Sequence, residues 1–157
     1  METKISFASD NYAGTSIDIL DYLQMINKKH LPSYGEDWIT KEAISLFKNE
    51  FGEDIEVFFV YNGTAANTLA LGQVTKPYNS IICPNMAHII TNEVNAPQKW
   101  TGCKLIPVES EDGKITPDQI EEAYQYEVFW GRHASVPNVV SISQSTETGT
   151  AYSIQEI

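Results

Sequence analysis

The spacing of apolar residues predicts two amphipathic helices near the N-terminus. Residues 17–29 and 40–51 carry apolar side chains at the three- and four-residue intervals that place them on one helical face. Ser16 precedes the first segment as its predicted N-cap, and Gly52 follows the second as a C-terminal signal. We therefore expect helical structure before the first strongly apolar run.

Beyond this region, short apolar runs alternate with helical patterns. Strands are predicted at 57–60, 80–83, 105–108 and 138–143, with helices at 64–74, 87–95 and 117–126 between them. Strands that alternate with helices favour a right-handed, mainly parallel sheet with flanking helices. The predicted fold class is therefore α/β, and ligands of such sheets bind at the carboxyl ends of the strands.

The first predicted strand changes to a helix within a few residues, in the stretch VFFVYNGTAANTLAL from Val57 to Leu71. A helix that begins after Asn62-Gly63-Thr64 presents unpaired backbone N–H groups and the positive end of its dipole, which together attract an anion. Gly63 has no Cβ to obstruct that approach, and Thr64 adds a hydroxyl donor. The alternative is an ordinary loop in which Thr64 only caps the helix.

Composition narrows the classes of function. The chain has 157 residues and a formal net charge of −11, which argues against nucleic-acid binding. No apolar run reaches membrane-spanning length, and the N-terminus lacks a signal-like apolar region, so a cytoplasmic location without membrane contact is expected. Cys83 and Cys103 are too few for a disulfide framework, and no ligand set for a metal stands out.

Common nucleotide, hydrolase and zinc-protease signatures are missing from the sequence, but five short motifs occur in a fixed order. They are FASDN from Phe7, YGED from Tyr34, NGTAAN from Asn62, Ala87-His88 with Glu93 five residues later, and DGKI from Asp112. Each motif is weak alone. Together they resemble the low-specificity threonine aldolases, within the aromatic amino acid β-eliminating lyase and threonine aldolase group of fold-type-I pyridoxal-phosphate (PLP) enzymes.

The resemblance implies a partial PLP-transferase large domain and assigns roles to several residues. Asn62, Gly63 and Thr64 match the phosphate cup, with Asn62 where serine is usual, and Thr146 is a further cofactor-binding candidate. His88 matches the histidine that stacks on the pyridine ring, and it is predicted to be catalytic. Ser9 and Tyr34 match substrate-binding positions, Tyr34 at a dimer interface. The implied reaction is retro-aldol cleavage of threonine or allo-threonine to glycine and acetaldehyde.

The sequence departs from the family pattern in two respects. Glu147 stands where many members have a histidine discussed as the catalytic base, so Glu147 is our candidate for that role. The aspartate that pairs with the pyridine nitrogen and the lysine that binds the cofactor's aldehyde have no counterpart in these residues. We therefore expect an N-terminal helical segment over 1–55 and an incomplete PLP-binding domain over 56–157, part of a longer domain and inactive alone.

Two other classes of function remain open on the sequence. One is a different fold-type-I enzyme, such as another β-eliminating lyase, an aminotransferase or a desulfurase; the other is a non-catalytic α/β module that binds a phosphorylated metabolite at Gly63-Thr64. The FASDN and YGED motifs favour the aldolase over the other enzymes. The resemblance also implies a small amino-acid substrate and a homodimer or homotetramer with shared active sites. Glu93 is left as either a supporting acid or a solvated carboxylate.

Overall fold

The computed structural model describes residue 6 and residues 8–157, and these residues form two compact units, one that ends at Phe58 and one over Phe59–Ile157. Phe7, the first residue of the FASDN motif, lies outside the described residues. No helix within the described part of the chain is long and apolar enough to cross a membrane.

The first unit contains a short 3-10 turn and two helices, α1 (Ile17–Ile26) and α2 (Trp38–Phe51). Ser16 caps α1 as expected, since its Oγ accepts a hydrogen bond from the Ile19 N–H at 3.4 Å. Helix α2 begins two residues earlier than predicted because Asp37 caps it, accepting from the Thr40 N–H at 2.8 Å. Both helices are amphipathic, yet neither carries a buried residue.

The second unit is an α/β layer structure. Its elements are α3 (Gly63–Val74), β1 (Asn79–Pro84), α4 (His88–Thr91), α5 (Ala96–Thr101), β2 (Lys104–Val108), α6 (Pro117–Phe129), a 3-10 turn (Gly131–His133) and β3 (Val136–Val140). The strand order is β2-β1-β3, and both pairings are parallel. This arrangement confirms the predicted α/β class with a parallel sheet and flanking helices.

The central strand β1 is buried along its whole length and separates two apolar clusters. Ile81 and Cys83 face one cluster, which includes Leu71 of α3. Ile82 points to the opposite face, where it packs with Ile106 and with residues from α6. Because successive side chains of a strand alternate between faces, the run NSIICP supplies both cores at once.

The prediction of a buried strand at 57–60 is wrong. No described strand pairs with this segment, and the side chains of Phe58 and Phe59 are 78% and 60% exposed. A β-strand forms only when its backbone hydrogen-bonds to a neighbouring strand. An apolar run in the sequence predicts burial, but it does not show that such a neighbour is present. The sheet of the described residues accordingly has three strands rather than the four expected.

The helix predicted at 87–95 and the strand predicted at 138–143 also differ from the structure. The helix expected over 87–95 is split into α4 and α5, because Val94 and Asn95 adopt positive φ angles of 50° and 58° between them. The last strand begins and ends earlier than predicted, at Val136–Val140, although the Ser141 N–H still donates to the Ile82 carbonyl at 2.8 Å. The helix α6 begins as predicted, with Thr116 in a capping box and Pro117 at its first position.

Candidate active site

The loops that follow β1 and β3 meet at the carboxyl edge of the sheet. The loop after β1 leads to His88, the first residue of α4, and the loop after β3 leads to Glu147. The backbone N–H of His88 donates to Glu147 Oε1 at 2.7 Å. Two predicted catalytic residues, 59 positions apart in sequence, are therefore in direct contact.

Helix α3 presents backbone donors at its N-terminus. Asn62 is the N-cap: its Oδ1 accepts from the Ala65 N–H at 2.9 Å, and its carbonyl accepts from the Ala66 N–H at 3.1 Å. No group in the described part of the chain accepts the amide hydrogens of Gly63 and Thr64. A Cβ added to Gly63 would meet nothing within 4 Å, so this helix end is open to a ligand.

The N-cap of α3 differs from the alternative in which Thr64 only caps the helix. Asn62, rather than Thr64, caps α3, and Thr64 lies within its first turn. The Thr64 hydroxyl is therefore not used to cap the helix. The phosphate-site prediction for Asn62, Gly63 and Thr64 stays a prediction.

A buried carboxylate connects α3 to His88. Glu93 Oε1 lies 2.9 Å from His88 Nδ1 and accepts from Asn67 Nδ2 at 2.7 Å. The side chain of Glu93 is completely buried, whereas that of His88 is 53% exposed. Asn67 lies four residues after Gly63, so it is about 6 Å along the helix axis from the open end of α3.

The carboxylate of Glu147 is held by hydrogen bonds. Its Oε1 accepts from Ser143 Oγ at 2.7 Å as well as from the His88 N–H. Burial raises the pKa of Glu147, but the donors Ser143 and His88 outweigh that effect, so the pKa lies below its ordinary value. The group is therefore ionised at neutral pH.

The thiol of Cys83, at the end of β1, responds to the same carboxylate. Burial, followed by the charge of Glu147, raises the pKa of Cys83 to about 11. The Cys83 thiol is thus neutral at physiological pH and is not a candidate nucleophile.

Thr146 is the centre of a separate hydroxyl cluster. Its Oγ1 lies 3.0 Å from Thr148 Oγ1 and 2.7 Å from Thr150 Oγ1, and all three hydroxyls bond to the Asp112 carbonyl. A Cβ on Gly113 would come within 2.8 Å of Thr146. These contacts hold the DGKI motif against the loop after β3, and the cofactor-binding role of Thr146 stays a prediction.

The two predicted substrate-binding residues belong to the first unit. Ser9 is partly buried, and its Oγ accepts from the Asn11 N–H at 3.2 Å. Tyr34 has a fully exposed side chain and a positive φ of 63°, which is rare for a bulky residue and often found at functional sites. Their roles stay predictions.

Sequence reasoning assigned no role to Asn67 or Ser143 and left that of Glu93 undecided. Asn67 lies within the NGTAAN motif, four residues from Gly63, so its helical face was the available signal. Ser143 and Glu93 gave no comparable signal, because their contacts depend on loop conformation. Within the described residues, no group of three or more His, Cys, Asp or Glu side chains is arranged to hold a metal ion.

The fold and the site define a class of protein: a parallel α/β sheet whose carboxyl edge combines an open helix N-terminus with a carboxylate-bound imidazole. The chain belongs to the beta-eliminating lyase family, whose model matches residues 6–157. It is 41% identical over 153 residues to a low specificity L-threonine aldolase of Pseudomonas sp. and 40% identical to one of Pseudomonas aeruginosa. These alignments cover 96% of this chain and 43% of each relative.

A solved structure agrees with this assignment. Threonine aldolase of Leishmania major superposes with a TM-score of 0.84 and 32% identity, over 92% of this chain and 42% of that one. The fold is therefore that of a partial fold-type-I α/β domain, as the sequence motifs implied. The chain spans about two fifths of the length of these relatives.

Proposed function

We propose that the full-length protein is a PLP-dependent lyase of the threonine aldolase type, acting on a small β-hydroxy-α-amino acid. The observation that carries this proposal is the pairing of two features at one sheet edge. The Gly63 and Thr64 amides are open at the start of α3, and Asn67, one turn further along this helix, is linked through Glu93 to the imidazole of His88. The names of the relatives agree with this proposal.

The residues fit the chemical needs of the cofactor. A phosphate group requires several donors with little steric obstruction, which the Gly63 and Thr64 amides and the Thr64 hydroxyl supply. An aromatic ring requires a flat partner of fixed orientation, and His88 combines an exposed ring with a fixed Nδ1 contact. When bound, PLP supplies an electron sink for the carbanion left at Cα.

Glu147 is our proposed acceptor for the proton of the substrate β-hydroxyl. The Cα–Cβ bond of threonine then breaks, and after protonation at Cα the products are glycine and acetaldehyde. The carboxylate is charged at neutral pH and lies on an exposed loop beside His88. The hydrogen bonds to Glu147 fix its orientation, but they also weaken it as a base because they lower its pKa.

Ser9 and Tyr34 are proposed to bind the substrate, and Thr146 to assist in holding the cofactor. We propose that residues 56–157 contribute the cofactor-binding part of a larger α/β domain and that 1–55 leads into it. The exposed apolar side chains of α1 and α2 favour a homodimer or homotetramer. Two free, buried cysteines support a reducing, cytoplasmic location.

The proposal is tested by adding PLP to the purified full-length protein. We expect a visible absorption band and conversion of threonine or allo-threonine to glycine and acetaldehyde. The acetaldehyde is measured through its NADH-dependent reduction. Replacing His88 by Phe keeps a flat ring and should retain PLP binding, whereas His88→Ala should weaken it. His133→Ala, on an exposed 3-10 turn, is the matched control. Absence of PLP binding by the wild-type protein would refute the proposal.

A further inference from the structure

We infer that Asn67 and Glu93 are positioning residues that fix the ring of His88 and place its neutral-state proton on Nδ1. The nitrogen left for the ligand side is then Nε2. This inference rests on the proposed function, because it assigns to these residues the orientation of an imidazole that faces the cofactor. It concerns a hydrogen-bonded chain of three side chains from α3, from the turn after α4 and from the start of α4.

The contacts determine the direction of the hydrogen bonds. Asn67 Nδ2 donates to Glu93 Oε1 at 2.7 Å, and His88 Nδ1 lies 2.9 Å from the same oxygen. Because Glu93 Oε1 already accepts a hydrogen bond from the Asn67 amide, it acts as an acceptor oxygen, and the proton it shares with the imidazole is donated by His88 Nδ1. In the neutral imidazole the other ring nitrogen, Nε2, then carries the free lone pair.

Burial indicates that this carboxylate has more than a surface role. The Glu93 side chain has no exposed area, and its Oε2 has no hydrogen-bond partner within the described part of the chain. Buried carboxylates are rarely left with an unsatisfied oxygen, and such a group calls for an explanation. A role in holding His88 explains the arrangement, since Asn67 Nδ2 and His88 Nδ1 both bond to Oε1 and leave Oε2 unused.

Asn67 connects the Glu93–His88 contact to the proposed ligand site. Asn67 is on α3, four residues after Gly63, and so belongs to the same helix that presents the open amides. A rigid helix therefore carries the proposed phosphate donors and one end of the chain that orients the ring. Displacing such a ring by about 1 Å can cost on the order of 100-fold in rate.

The test begins with the wild-type full-length protein without PLP. Its imidazole ¹⁵N signals are recorded by NMR, and those of His88 are assigned by comparison with His88→Asn. We expect a single neutral tautomer with the proton on Nδ1. A proton on Nε2, or an even mixture of tautomers, would overturn the inference whether or not the protein binds PLP.

Variants then separate positioning from general stability. Glu93→Gln keeps an oxygen that accepts from Asn67 and His88, so its tautomer and kcat should stay near those of wild type. Glu93→Leu fills the buried site without an acceptor; its tautomers should mix, and kcat on threonine should fall roughly 10- to 100-fold. Glu122→Gln, on the exposed face of α6, is the control and should change neither measurement.

The outcomes distinguish this inference from the proposed function. A protein that binds no PLP refutes the function, while the tautomer of His88 is still measured in the same sample. Equal damage from Glu93→Gln and Glu93→Leu would overturn the positioning role. So would a folded Glu93→Leu protein that keeps the single Nδ1-protonated tautomer.

Discussion

Replacing Gly63 by alanine should separate the folding of α3 from its proposed role in binding phosphate. Gly63 is the first residue of the helix, its φ is not in the left-handed region, and an added Cβ would meet no atom within 4 Å. Alanine is favoured over glycine in helices by up to about 1 kcal/mol. The variant should therefore be at least as stable as wild type.

The same methyl group should weaken PLP binding. It would stand beside the Gly63 and Thr64 amides, which have no acceptor in the described part of the chain. A hydrogen bond to a charged group contributes about 1.5–3 kcal/mol, so losing one corresponds to a roughly 10- to 100-fold rise in Kd. Chemical denaturation without PLP measures the first effect, and titration with PLP measures the second.

Gly72→Ala is a matched control on the same helix. An added Cβ there would lie 4.0 Å from the Thr101 methyl group, which is an ordinary contact. Its position is nine residues, or about 13 Å, from Gly63 along the axis. This control should gain up to about 1 kcal/mol of stability and bind PLP normally. Unchanged PLP binding by Gly63→Ala would refute the phosphate site, and a loss of stability would refute the open helix end.

Three further predictions concern the loops at the sheet edge. Glu147→Gln should lower kcat without changing PLP affinity. The pKa of Glu147 lies below its ordinary value of 4.5, so the ionised carboxylate stabilises the wild-type fold, and this advantage over the variant should be lost as pH falls through that lower pKa. Acid denaturation of the two proteins measures the effect. Cys83, whose pKa is raised to about 11, should react with a thiol reagent at pH 8 only after denaturant is added, and rapid labelling of the native protein would contradict the burial. Gly113→Ala should lower the free energy of unfolding by more than about 1 kcal/mol, since the φ of Gly113 is 81° and the new Cβ would clash with Thr146 at 2.8 Å. An unchanged denaturation midpoint would contradict that packing.

Local chemistry in the sequence was enough to predict several elements. The start of α6 follows from Thr116 and Pro117, which satisfy the helix end with neighbouring residues. The apolar run of β1 likewise predicted a strand at 80–83, and the structure shows that this strand is buried on both faces. In each case the information lies within a few residues of the element that it determines.

Predictions failed where a distant partner or an unusual backbone angle decides the structure. The run at 57–60 has the composition of a strand but pairs with no described strand, because composition does not determine whether a partner strand is present. The role of Glu93 was left open between a supporting acid and a solvated carboxylate, because on a single continuous helix a spacing of five residues would keep it apart from His88. Helix α4 ends at Thr91, and the turn that follows brings Glu93 back to the imidazole.

The two carboxylates that contact His88 are suited to different tasks because of their surroundings. Glu93 is buried, bonds to the ring nitrogen, and has no access to a substrate, so it can act only through the histidine. Glu147 bonds to the backbone N–H of the same residue and lies on an exposed loop, so it can reach a bound molecule directly. Exchanging their burial would remove both proposed functions, since a solvated Glu93 would no longer hold one ring orientation and a buried Glu147 could not accept a proton from substrate. The proposed division of roles therefore follows from where α4 begins and ends at the carboxyl edge of the sheet.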